Sequence, residues 1–127
     1  MTGGRRPRET FPPAARLRKR REFLAVYERG VRVPGPLLVL FVVPRREGGA
    51  RLGITTTRRL GSAVVRNRLR RLVREVFRRH RHRMPSWDLV VNVRAEAREA
   101  GYREIETEWQ RLVKRAERKL AREGRQA

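Results

Sequence analysis

Residues 58–82 read RRLGSAVVRNRLRRLVREVFRRHRH, and the rest of the chain is organised around them. Arg58 and Arg59 precede a turn at Gly61, and Ser62 stands where a helix N-cap is wanted, its hydroxyl suited to a backbone N–H of the first turn. Val65, Leu69, Leu72, Val73 and Val76 recur at i, i+4, i+7, i+8 and i+11, the spacing of one buried helical stripe. At about 100° per residue, Asn67, Arg70, Arg71, Arg74 and Arg78 gather on the opposite side, with Arg66 and Arg68 at the borders of the stripe. Glu75 is the sole acid in the run. Like charges at i, i+4 cost an isolated helix roughly 0.2–0.5 kcal/mol per pair. Solvated helix faces mix Glu with Lys and Arg, so a face of guanidiniums asks for a polyanion to cover it.

The whole chain repeats that demand. Its 127 residues carry 34 basic and 13 acidic side chains, a formal charge of +21, and a pI near 12.0. This is the length of one domain with a modest core. Folding works against the self-repulsion, and a permanent anionic partner resolves it. Lys19, Lys114 and Lys119 are the only lysines. The arginine fork pairs with phosphate through two donors and stacks on bases, which suits RNA. Without cysteine there is no disulfide, zinc knuckle or thiol chemistry. The longest apolar run, Leu37 to Val43, is of strand length, far short of the ~18–20 residues of a membrane span. A cytoplasmic protein with no membrane association is expected.

Outward from the basic helix, three units are expected: a disordered basic arm over residues 1–16, a domain over 17–120, and a flexible tail over 121–127. A short helix from about Arg20 to Arg29 stops at Gly30 and carries Phe23 and Tyr27 on one face. Leu37 to Val43 reads as a buried strand, and Gly48-Gly49 as a hairpin loop leading to a strand over Arg51 to Thr57. In that strand Leu52, Ile54 and Thr56 take one face, and Gly53, Thr55 and Thr57 the other. The second face is small and hydroxyl-bearing, open to a sugar–phosphate backbone. After Met84-Pro85-Ser86, Trp87 to Arg94 forms a further strand, and Tyr102 to about Arg122 a closing helix. The order of elements gives an α+β sandwich, one sheet with helices against it.

Little in the chain is equipped for catalysis. Asp88 is the only aspartate, and Glu104, Glu106 and Glu108 project about 200° apart in steps of two along one helix, so they do not converge on a cation. Their place in the first turns suits the helix dipole. His80 and His82 sit among arginines that would repel a metal, and read as solvated side chains at a helix end. Ser62 has no local His or Asp to activate it. No catalytic residue and no protein-held metal is expected. Phe23, Tyr27 and Phe41, beside Thr55 and Thr57, make a second candidate surface, since stacking of an unpaired base on an aromatic ring is worth ~1–3 kcal/mol.

The segment Gly61-x-Ala63-Val64-x-Arg66-Asn67-Arg68-x-Arg70-Arg71-x-x-Arg74 resembles the RNR signature of the bacterial ribonuclease P protein subunit. Leu17-Arg18-Lys19 with Phe23, Val26, Tyr27 and Gly30 is similar to that family's first helix, and Arg51 to Gly61 to its strand leading into the signature. Trp87 to Val91 and Leu112 to Lys119 resemble its later strand and closing helix. The resemblance implies a small α-β-β-β-α-β-α sandwich, ribosomal protein S5 domain 2-like, with a short strand near Val31–Val33 and a left-handed βαβ crossover through the basic helix. It also implies two partners, the catalytic RNA subunit and precursor tRNA, for a monomeric protein within a ribonucleoprotein. Arg58, Arg59, Arg66, Asn67, Arg68, Arg70, Arg71, Arg74 and Arg78 would meet the catalytic RNA, and Phe23, Tyr27, Phe41, Thr55 and Thr57 the 5′ leader. On this reading the RNA subunit cleaves the leader with Mg2+, and the protein binds no cofactor of its own. A ribosomal-protein-like binder of structured RNA would explain the charge and fold equally well, but it has no use for a groove that takes a single strand. A protein nuclease acting alone is opposed by the lack of an acid cluster.

Overall fold

The computed structural model describes residues 11–124. In chain order it contains α1 (Arg20–Arg29), β1 (Val31–Pro34), β2 (Leu38–Pro44), β3 (Arg51–Thr55), α2 (Ala63–His80), β4 (Trp87–Val93) and α3 (Tyr102–Arg122), with short 3-10 turns at Pro13–Ala15, Arg58–Leu60, Arg81–Arg83 and Ala95–Ala97. The strands form one mixed sheet in the order β1-β2-β4-β3. β1 with β2 and β2 with β4 are antiparallel, while β3 and β4 are parallel and joined by the crossover through α2. This is the expected small α+β sandwich.

Alternation along the strands divides the side chains between two layers. Leu38, Leu40 and Val42 of β2, with Leu89, Val91 and Val93 of β4, point toward α2 and α3 and join Leu69, Val73, Val76 and Phe77 from α2 and Ile105, Trp109 and Leu112 from α3 in the main core. On the other side Val90, with Phe41 and Val43, meets Val26, Phe23 and Tyr27 of α1 in a smaller cluster. Both outer strands are protected. Arg115 and Lys119 of α3 donate to the carbonyls of Pro34 and Arg32 on the β1 edge at 2.9 and 2.8 Å. On the β3 edge, the backbone N–H of Leu17 donates to Leu52 at 2.9 Å. Satisfied edge groups do not recruit another chain.

The start of the packed body differs from expectation. Phe11 stands edge-on to Phe77, centroids 5.3 Å apart, and Ala15 is fully buried. Residues 11–16 are therefore part of the domain, held by apolar contact that the surrounding Pro and Arg obscure in the sequence. The remainder of the expected arm, residues 1–10, lies outside the described residues. At the other end α3 runs through Ala121 and Arg122, two residues into the expected tail, and residues 125–127 again lie outside the described residues. Strand β3 ends at Thr55, so Thr56 and Thr57 belong to the connection into α2.

Candidate nucleic-acid interface

α2 begins where its chemistry directs. The backbone N–H of Val65 donates to the Ser62 hydroxyl at 3.3 Å, the N-cap bond expected there, and Gly61 ahead of it takes a φ of 136°, a conformation costly for any residue with a Cβ. The apolar stripe turns Leu69, Val73, Val76 and Phe77 fully inward, with Val65 and Leu72 half-buried. Phe77 extends the expected stripe by one position at its edge.

The arginines of this helix divide by what they hold. Arg68 reaches sideways to the carbonyls of Arg98 and Ala100, the latter at 3.1 Å. Arg78 and Arg79 both bind the Glu75 carboxylate. Arg66 donates weakly to Gly61 at 3.4 Å, and Arg70 to Asn67 at 3.3 Å. Arg58 and Arg59 project from the turn before Gly61, whose backbone is clamped by Arg98 donating to the Arg59 and Leu60 carbonyls at 3.0 and 2.8 Å. Among the described residues Arg58, Arg59, Arg70, Arg71 and Arg74 pair with no acid. Of the nine polar residues the sequence singles out, these five and Arg66, whose bond to Gly61 is weak and which also binds no acid, are the cations left for an outside anion. Asn67 remains beside them, while Arg68 and Arg78 spend their donors inside the protein. Burial, together with the charges of Arg16 and Arg70, pushes the Arg74 guanidinium below its ordinary value.

On the opposite side of the sheet the register lines up a second surface. Cross-strand partners place Arg32, Phe41, Val90 and Gly53 in one row, and Pro34, Val39, Asn92 and Thr55 in the next. Tyr27 of α1 lies edge-on to Phe41 at 4.8 Å, and its hydroxyl donates to Asn92 Oδ1 at 2.8 Å with Thr55 Oγ1 3.1 Å away. Phe23 stands one row over, on Gly53: a Cβ there would lie 2.6 Å from the Phe23 ring, so only glycine admits it. Tyr27, Phe41 and Thr55 thus form one constellation with Asn92. Phe23 flanks it, and Thr57 lies exposed beyond the end of β3, outside that hydrogen-bonded group. Asn92 was absent from the sequence expectation. Its signal was the alternation Asp88, Val90, Asn92 on one face of β4.

The acids serve the scaffold. Asp88 receives both donors of the Arg51 fork at 2.7 and 2.8 Å, with Arg45 at 3.5 Å. Glu22 accepts from the backbone N–H groups of Lys19 and Arg18, which hold its carboxyl below the usual range, aided by Arg51. Glu104 accepts from the Gly101 N–H at 2.9 Å. Glu108 is 1 % exposed and accepts from the backbone N–H groups of Leu37 and Leu38 at 2.7 and 2.6 Å, fastening the turn before β2 to α3. His80 is not the solvated side chain expected from its neighbours: it is half-buried and lies 2.8 Å from Glu106, because α3 brings an acceptor across to the end of α2. Among the described residues no three of His, Asp and Glu gather as a metal-holding group, and no helix is long and apolar enough to cross a membrane.

Comparison with known proteins adds an independent line. The family model described as Ribonuclease P matches residues 11–117. The ribonuclease P protein component of Desulfovibrio desulfuricans is 41% identical over 118 residues, covering 89% of this chain and 91% of that protein. Its counterpart in Clostridium kluyveri is 38% identical over 104 residues, covering 80% of this chain and 93% of that one. Among solved structures, the RNase P protein from Thermotoga maritima superposes with a TM-score of 0.72 at 32% identity, covering 79% of this chain and 96% of that chain. The Staphylococcus aureus RNase P protein superposes at 0.74 with 29% identity, covering 80% and 94%.

Proposed function

Because this chain belongs to the ribonuclease P protein component family, we propose that it is the protein subunit of a ribonuclease P holoenzyme, binding both the catalytic RNA and the 5′ leader of precursor tRNA. The exposed cations of α2, with Arg58 and Arg59, take the phosphates of the catalytic RNA, and the surface at Tyr27, Phe41 and Thr55 takes the leader. The hydrolysis belongs to the RNA subunit and its Mg2+. The protein contributes substrate positioning and charge neutralisation, as a cytoplasmic monomer within the ribonucleoprotein.

One observation carries this reading. The two RNA-suited surfaces lie on different layers of one sheet, so one protein can hold two RNAs together. Arg58, Arg59, Arg66, Arg70, Arg71 and Arg74, without acid partners among the described residues, make the first. The second is an aromatic pair whose tyrosine hydroxyl is fixed by Asn92 beside Thr55. A scaffold for structured RNA alone has no need of the second surface.

The test is holoenzyme affinity for precursor and mature tRNA. Tyr27→Ala is expected to weaken precursor binding and leave mature tRNA binding unchanged. Equal losses for both, in a folded variant, would return the protein to the class of general RNA binders. Sequencing the RNA that copurifies from cells makes a separate check, with one abundant RNA of several hundred nucleotides expected and ribosomal RNA contrary to the proposal.

A further inference from the structure

A pocket of about 300 Å3 lies in the groove between the end of α2 and the middle of α3. Trp109, Val113 and Met84 form its apolar wall, and Arg83, Lys114, Gln110 and Glu117 stand around its mouth. We infer that this pocket is a nucleotide-binding site. It takes one unstacked nucleotide, the base against the apolar wall and accepting from the indole N–H of Trp109, the phosphate on Arg83 and Lys114. None of these residues belongs to the surfaces proposed for the catalytic RNA or for the leader. The site lies in the layer of α2 and α3, with the sheet between it and α1.

The buried indole carries the argument. Trp109 is 1 % exposed, and its Nε1 has no hydrogen-bond partner among the described residues. A buried donor without an acceptor is destabilising, and native structures rarely keep one without a use. The ring is fixed edge-on to Phe77, centroids 6.0 Å apart, so it is not free to turn toward another acceptor. The pocket that Trp109 lines is the space from which an acceptor reaches it. A planar heterocycle suits that place. Every nucleobase carries ring nitrogens or carbonyl oxygens that accept, and its face packs on Met84 and Val113. Gln110 offers both a donor and an acceptor to the remaining edge of the base.

The rim supplies the other half of the ligand. Gln110, Val113, Lys114 and Glu117 recur at i, i+3, i+4 and i+7, one face of α3, while Arg83 and Met84 come from the turn that follows α2. Neither Arg83 nor Lys114 pairs with an acid among the described residues, although Glu117 shares the pocket with them. Together the three leave one net positive charge, which suits a single phosphate and disfavours a metal cation. His80, also in the wall, is tied to Glu106 at 2.8 Å and holds the end of α2 against α3, so the groove is formed before any ligand arrives. Its volume, at the small end for ligand pockets, fits one ring system and not a stretch of strand.

The experiment reads the indole itself. Full-length protein with isotope-labelled tryptophan gives two indole N–H resonances, from Trp87 and Trp109, and Trp87→Phe assigns them. Titration with each of the four ribonucleoside monophosphates is expected to move the Trp109 resonance downfield, saturably, and to leave Trp87 in place. Arg83→Gln and Lys114→Gln, both at exposed positions, should each weaken this binding about tenfold, as for a lost charge-assisted hydrogen bond. Equilibrium dialysis of labelled mononucleotide against reconstituted holoenzyme then identifies the source. Binding retained there assigns the site to a free nucleotide. Binding excluded there, with assembly weakened by Trp109→Phe in folded protein, assigns it to an unstacked residue of the RNA. A shift produced equally by inorganic phosphate overturns the proposal, because the rim then takes charge without a base. Nucleotide binding that Arg83→Gln and Lys114→Gln leave unchanged overturns it too. So does a Trp109 resonance unmoved by all four nucleotides in protein whose assembly is indifferent to Trp109→Phe, which would give the buried N–H to water. None of these results touches the leader reading, whose residues lie across the sheet.

Discussion

One side of the sheet is roofed by two helices of 18 and 21 residues, the other by a single helix of 10. The consequences run through every residue that the strands present. Toward α2 and α3, Leu38, Leu40, Val42, Leu89 and Val91 are sealed from water. Toward α1, only Val26, Leu17 and Val90 are buried in that cluster, while Phe41, Val43 and Tyr27 keep partial exposure. The doubly roofed layer holds the fold together. The singly roofed layer leaves apolar and hydroxyl-bearing surface beside a short helix, and that incompleteness is what a single RNA strand can use. A sheet with both faces equally closed would be more stable and would bind nothing there.

The sharpest way to break this contrast is to cut one aromatic ring from each layer. Phe77 is fully buried between Phe11 and Trp109, and Phe77→Ala should cost ~3–5 kcal/mol, enough to unfold a marginal domain. Phe41→Ala removes a ring that keeps partial exposure in the smaller cluster and should cost less, about 1–2 kcal/mol. Urea denaturation of both variants measures the difference. Equal losses would mean that the α1 layer is as much a core as the other.

The second contrast concerns binding. Tyr27→Ala should cost ~1–3 kcal/mol in precursor affinity through loss of a stacked base, with no change for mature tRNA. Tyr27→Phe separates the ring from the hydroxyl that Asn92 and Thr55 hold. If stacking dominates, Tyr27→Phe keeps most of the affinity. If it falls as far as Tyr27→Ala, orientation by the hydroxyl matters more than the ring face.

The two layers were unequally legible in the sequence. The stripe of α2 and the strand alternation stated the fold, because periodic burial is written directly into residue order: Leu69 and Val73 inward, Arg71 and Arg74 outward. The RNR stretch supplied the family for the same reason, its residues being contiguous. What escaped depended on partners distant in the chain. Glu108 reads as one of three acids near a helix start, and becomes a buried anchor only because the turn at residues 37 and 38 offers it two N–H groups. Asn92 acquires a role when β4 pairs with β3 and α1 lays Tyr27 across them. Spacing puts Arg68 at the border of the stripe and Arg71 opposite it, but does not say that Arg68 meets the carbonyls near α3 while Arg71 faces water. Phe11 was assigned to an arm because Pro and Arg surround it, and no local pattern announces its contact with Phe77.

That pair of arginines gives a smaller but discriminating effect. Arg71→Gln should leave stability within about 0.5 kcal/mol, as for most exposed positions. It should lower the salt dependence of assembly with the RNA subunit by about one ion. Arg68→Gln should do the reverse, costing about 1 kcal/mol of stability through its lost hydrogen bonds and changing the salt slope little. Thermal melts with assembly titrations at several salt concentrations separate the two. Matching salt slopes for both variants would show that Arg68 exchanges its internal carbonyls for RNA phosphates.

The smallest effect, acid sensitivity, compares the layers once more. Glu22 on α1 is held below its ordinary value first by the backbone N–H of Lys19 and then by that of Arg18. Glu75 and Glu106 on the other layer are held down chiefly by Arg78 and by His80. A carboxylate whose pKa is lower folded than unfolded contributes stability that is fully present above its unfolded value. That contribution is lost as pH falls through the lower folded value. All three groups therefore predict a plateau above the unfolded value, near 4.5, and a decline below it. Glu22 secures the start of a ten-residue helix with one buried residue, so its protonation should release α1 before α2 or α3. Hydrogen exchange followed from pH 6 down to about pH 3 should show α1 amides losing protection first, with intrinsic exchange rates corrected for pH. Glu22→Gln, which cannot accept as a charge, should make α1 exchange fast at pH 6 already and flatten its acid response, leaving the amides of α2 and α3 unchanged. Simultaneous loss in all three helices would show that the α1 layer is bound into the same cooperative unit as the closed one, and that the groove is no softer than the core behind it.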